Sequence, residues 1–102
     1  MPSRLELHEE FCDILGNRNA YFQPPPSVKL QYDCIKYSCD GFDVDHADDS
    51  AYKTIKRYEG IAITKDPDSG LPDSILKRFQ MCSLGKPYVS DNLNHFPFTL
   101  YY

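Results

Sequence analysis

The chain has no tryptophan, and its basic residues are in deficit: eleven Lys and Arg stand against fifteen Asp and Glu, a net charge of −4. That sign is wrong for gripping phosphates by counterion release, so tight nucleic-acid binding is not expected. No apolar run approaches the roughly eighteen residues that a membrane helix needs. Residues 1–11, MPSRLELHEEF, have neither the basic cap nor the hydrophobic run of a secretory signal, so the chain is expected to be soluble and to stay where it is made. Phosphate-cradling GxGxxG loops and the GxSxG nucleophile elbow are both missing from the sequence.

What remains is ordinary globular material: 41% hydrophobic and 25% charged residues, with eight tyrosines and six phenylalanines. At 102 residues the chain has room for one domain, 1–102. So small a domain has a thin stability margin, which makes oligomerisation a natural support. Its four cysteines, Cys12, Cys34, Cys39 and Cys82, occur without an export signal and are expected to be free thiols in a reducing compartment.

Ser3 and Glu6 form a capping box, Leu7, Phe11, Ile14 and Leu15 recur at helical spacing, and Gly16-Asn17 supplies a stop, so a helix is predicted over residues 4–15. Ala20, Tyr21 and Phe22 suit a short extended piece before the rigid Pro24-Pro25-Pro26 connector. β-Branched and aromatic residues over 28–39 predict a strand whose parity changes near Asp33 and Cys34, the mark of a bulge or break. Residues 58–64, YEGIAIT, predict another strand, and the acidic stretch 40–49 reads as the connection of a long hairpin between the two. Ser69 is placed to cap a second helix over 70–79, with Pro72 in its first turn and a stripe of Leu71, Ile75, Leu76 and Phe79. A last strand is predicted within 88–102, where Pro97 marks an edge or bulge. Alternating aromatics there, ending Phe98-Thr99-Leu100-Tyr101-Tyr102, imply that both sheet faces are covered. The expected fold is α+β, a small and mostly antiparallel sheet packed against two helices.

The residues that carry chemistry are sparse. Cys34 and Cys39 lack the second closely spaced pair of a zinc site. Asp43, Asp45 and Asp48 suggest calcium, but the fifth, sixth and twelfth loop positions are Ala47, Asp48 and Thr54, which an EF-hand does not allow. His8, His46 and His95 are scattered, with no nucleophile motif beside them. Neither a catalytic residue, a metal site nor a cofactor is therefore expected. The charge reversal is the conspicuous feature, from DGFDVDHADD over 40–49 to Lys53, Lys56 and Arg57 immediately after it.

Three segments, ELHEEFCDILGNRNAYFQPP (6–25), KDPDSGLPDSI (65–75) and DNLNHFPFTLYY (91–102), make the chain resemble small proteins of tailed-phage structural-gene clusters, in particular the tail terminator or tail completion family. The resemblance covers most of the chain. Two departures from the family pattern are Gly70, where an acidic residue is expected after Ser69, and Pro97, where a β-branched residue is expected.

The resemblance implies a non-enzymatic virion protein, assembled in the host cytoplasm. It would form a homo-hexameric ring that caps the tail tube and joins it to the head-closure or connector protein of the neck. DNA would pass through the ring without specific binding, and no membrane is involved. On that view Asp40, Asp43, Asp45, Asp48 and Asp49 are candidate lumen or interface acids, repelling a sliding duplex. Lys53, Lys56, Arg57, Tyr101 and Tyr102 are candidate basic and aromatic interface residues, with the acidic and basic segments on different surfaces. Two alternatives remain open: a head-closure or adaptor protein of the same neck, and a small non-enzymatic intracellular binding module.

Overall fold

The computed structural model describes residues 4–46 and 52–102, and in it Arg4–Leu15 form helix α1. Its buried residues Leu7, Phe11 and Cys12 follow the helical period. Gly16 ends it at φ +74°, a left-handed turn that glycine adopts without strain, and the Gly16 N–H donates to the Cys12 carbonyl at 2.9 Å. Ser3, the expected capping residue, lies outside the described residues.

The strands are β1 (Ala20–Phe22), β2 (Cys34–His46), β3 (Tyr52–Thr64), β4 (Cys82–Leu84), β5 (Tyr88–Ser90) and β6 (Leu93–Tyr101), with helix α2 (Leu71–Arg78) between β3 and β4. They form a six-stranded sheet in the order β1-β2-β3-β6-β4, with β5 also paired to β6. Among the described residues only β1 with β2 is parallel. The fold is therefore α+β, as the composition of the segments predicts.

Leu7 and Phe11 of α1 and Ile75 of α2 share one core with Ile35, Tyr37, Tyr58, Ala62, Phe98 and Leu100 of the sheet, so both helices lie on one sheet face. Phe11 is at its centre, with ring centroids 4.9 Å from Tyr37, 5.7 Å from Phe79 and 5.8 Å from Phe98. Gly60, opposite both Tyr37 and Phe98 in the ladder, leaves space for the Phe98 ring: a Cβ there would lie 2.4 Å from Phe98 Cζ. Arg78 ties the helices together at the rim, bonding Asp13 and standing 3.6 Å from Glu10.

Several expectations need correction. Strand β2 starts at Cys34, not at residue 28, because the loop after the triple proline runs outside the ladder to Asp33. The acidic residues 40–46 are strand rather than connection, since each finds a ladder partner in β3 once Asp40 is set aside as a bulge. β3 is correspondingly longer than residues 58–64. The break expected near Asp33 and Cys34 is the boundary between loop and strand, and a separate bulge falls between Cys39 and Gly41.

Pro97 is not on an edge strand, because β6 lies between β3 and β4. Its carbonyl accepts from the Gly85 N–H at 2.8 Å. Since N–H and C=O of one strand residue point the same way, the missing donor falls in the gap between β4 and β5 and costs no ladder bond to β3. The second helix is shorter than residues 70–79, and Leu76 of its predicted stripe is 42% exposed. Ser69 contributes a hydroxyl that accepts the Leu71 N–H at 3.2 Å, while Gly70 occupies the cap position itself. Strand β4 carried too little pattern to be predicted.

The helices cover one face only. On the other, Cys34 and Ile63 are buried, Ile61 and Pro97 are half-buried, and Lys36, Ser38, Glu59, Arg57 and Tyr101 extend the row toward the far end of the hairpin. Among the described residues no helix is long and apolar enough to cross a membrane.

Candidate assembly interface

β2 and β3 begin inside the sheet and leave it. The parallel pairing of β1 ends at Phe22 with Tyr37, and a last bond on that side runs from the Gln23 N–H to the Tyr37 carbonyl at 2.9 Å. On the other side β6 accompanies β3 only as far as Tyr101 with Arg57, closed by the Tyr102 N–H donating to the Lys56 carbonyl at 3.0 Å. Among the described residues no third strand pairs with the stretch 41–46 and 52–55. The result is a two-stranded arm projecting from the body, and the molecule measures 52 × 26 × 22 Å.

The root of this arm is built from three residues that the sequence reading singles out. Asp40 is the extra residue of the bulge, and Arg57 Nε donates to its carboxylate at 2.9 Å. Arg57 is also opposite Tyr101 in the ladder and bonds its hydroxyl. The Tyr101 contact first, then Asp40, raises the guanidinium pKa above its already high ordinary value, so it stays charged throughout. Side-chain exposures of 35% for Arg57 and 40% for Asp40 mark the pair as a positioning contact at the surface, where solvent screens most of its attraction.

Beyond the root, Asp43 is opposite Ile55 and Asp45 opposite Lys53. Acidic and basic segments are thus neighbours in one ladder: composition shows a charge reversal, but only register shows that the chain has doubled back at it. The bulge sets which face each residue takes. Cys39 shares the helix-covered face with Tyr58, and after Asp40 the alternation places Phe42 and Val44 at positions of that face and Asp43 and Asp45 at positions of the other. Asp48 and Asp49 lie outside the described residues.

Tyr101 and Tyr102, read together as interface anchors, separate. Tyr102 turns to the helix side, 6.0 Å from the Phe79 ring, and its phenol is raised in pKa by burial first and then by a hydrogen bond to Glu10. It fastens the C-terminal end of β6 to α1. Lys56 is exposed.

Residues missed by the sequence reading line an open groove of about 640 Å³ on the helix-free face, among them Pro24, Lys36, Glu59, Ile61, Tyr88 and Pro97. Their common face follows from strand alternation, but the loop and the β5 turn that wall the groove left no periodic trace. The cysteines are free, and burial pushes the Cys34 thiol up to about 11, which keeps it protonated and unreactive at neutral pH. His8 Nδ1 lies 2.7 Å from the Tyr37 hydroxyl, and burial, then Arg4, lowers its pKa. His95 stacks on Tyr88 with ring centroids 4.7 Å apart. No group of three or more potential metal ligands occurs among the described residues.

Comparison of the chain with family models, with curated proteins and with solved structures returns no match.

Proposed function

We propose that this chain is a structural subunit of a phage neck, a tail terminator whose copies close into a ring that caps the tail tube and meets the head-closure protein. It works by assembly, with no bond made or broken. The observation that carries the reading is the arm: two strands with both outer edges unpaired among the described residues. An isolated two-stranded ribbon is at best marginally stable in water, so such an arm gains order when another chain completes it. The acidic net charge and the sequence resemblance support the further step to a ring through which DNA slides without being held.

Native mass spectrometry of the purified chain tests this. A hexamer supports the terminator, a twelve-fold ring transfers the reading to the adaptor of the same neck, and a monomer at high concentration overturns it in favour of a binding module using the groove over Lys36 and Glu59. Cryo-EM of an intact neck that places the chain elsewhere than on the tube end overturns it as well.

A further inference from the structure

We infer that copies of this chain join head to tail through their arms, the free edge of β3 in one copy pairing antiparallel with the free edge of β2 in the next. The inference rests on the ring reading above for the fact of self-association and adds the seam.

The two free edges differ in charge. On the β2 side, past the last contact with β1, the arm carries Asp43 and Asp45; on the β3 side, past the closing bond from Tyr102 to Lys56, it carries Lys53. Pairing of like edges would set acids against acids or bases against bases, and like charges placed opposite one another disfavour a contact. Pairing of unlike edges repeats between copies the arrangement already present inside the hairpin, where Asp45 is opposite Lys53. Charge therefore selects a heterologous contact over a two-fold one, and a heterologous contact generates a ring when its rotation closes.

Main-chain bonds across the seam would convert each arm from a lone ribbon into part of a wider sheet, the general mode of strand addition. The Asp40 bulge, held by Arg57 and Tyr101, aims the arm before any partner arrives, which reduces the ordering cost of association. Edges guarded against aggregation commonly carry charge too, but such guarding does not call for opposite signs on the two sides.

The test is a charge-swapped arm, with Asp43→Lys, Asp45→Lys, Lys53→Asp and Lys56→Asp in one chain. It keeps acid against base within the hairpin and leaves the net charge at −4. Wild-type and swapped chains are dissociated, mixed, reassembled and weighed by native mass spectrometry. Each is expected to form the same oligomer alone, with mixed oligomers at least about tenfold below their statistical share. Statistical mixing overturns the seam while leaving the ring standing. Mixing above the statistical share overturns it in favour of like edges, and a wild-type monomer overturns seam and ring together.

Should the swapped chain fail to fold by circular dichroism, Asp43→Asn with Asp45→Asn serves instead. It is expected to weaken association about tenfold at low salt and to flatten its salt dependence. An unchanged dissociation constant overturns the seam.

Discussion

One pair of strands builds two unlike regions. Between Cys34 and Cys39, β2 is flanked by β3, bonded over part of its length to β1, and roofed by helices over Ile35 and Tyr37, which are 0% and 2% exposed. From Gly41 to His46 the same strand pairs, among the described residues, with β3 alone. In the first region apolar burial holds the register, because a slip of one residue would turn Ile35 and Tyr37 to the open face. In the second the register sets Asp43 opposite Ile55 and Asp45 opposite Lys53, with no third strand beside them among the described residues. The Asp40 bulge thus divides one hairpin into a stretch that carries the core and a stretch that the proposed function assigns to assembly.

Substitutions on the two sides of the bulge should therefore differ in kind. The largest effect is expected for Phe11→Ala, which removes the ring at the meeting point of Tyr37, Phe79 and Phe98 and should cost about 3–5 kcal/mol in denaturant unfolding. A loss below about 1 kcal/mol would mean that the body does not depend on this cluster.

Gly60→Ala comes next, at about 1–3 kcal/mol, because the Phe98 ring, 2% exposed, has little room to yield to a new Cβ. The same urea titration checks it, and an unaltered midpoint would place Phe98 elsewhere.

Asp40→Asn should cost less than about 1 kcal/mol of monomer stability, since the Arg57 pair is half exposed, yet it should weaken association by loosening the arm's root. Sedimentation velocity beside thermal melting separates the two effects.

Acidity should act on the body through His8. Its pKa lies below the ordinary 6.5 in the folded chain, so the unfolded chain takes up the proton first as pH falls. The associated stability is fully present above pH 6.5 and is lost as pH falls through the lower folded value. His8→Gln should flatten that part of the melting-temperature profile, and an unchanged slope would assign it to other groups.

The smallest effect on stability belongs to the arm. Asp43→Asn with Asp45→Asn should shift monomer unfolding by no more than about 0.5 kcal/mol, as expected of substitutions away from a core. A larger shift would mean that the arm is part of the cooperative fold.

Helix α1 was legible to its last residue, because a 3.6-residue period, a glycine stop and the absence of proline are all local signals. The strand cores at Ile35, Tyr37 and Ala62 were legible for a similar reason, being alternating apolar residues. Residues 40–46 were misread since five aspartates over 40–49 look like a solvated turn, and only the ladder partner across the hairpin shows that Phe42 and Val44 alternate with them in a strand. Pro97 was misplaced because proline excludes a donor but does not say on which side the absent donor lies.

For the candidate interface, the sequence named Asp40, Arg57 and Tyr101 by charge and aromaticity. It carried no hint that a bulge would gather them, nor that Tyr102 would turn the opposite way. Composition, periodicity and punctuation thus determined the α+β class, the helix faces and the abrupt reversal of charge, all of which depend on neighbours a few residues apart. Tertiary structure alone decided that the acidic and basic runs stand side by side, that β6 stops beside Arg57, and that an arm is left whose outer edges are unpaired among the described residues. Those outcomes depend on pairings between segments far apart in the chain, whose register is set by the burial of distant side chains rather than by any local preference.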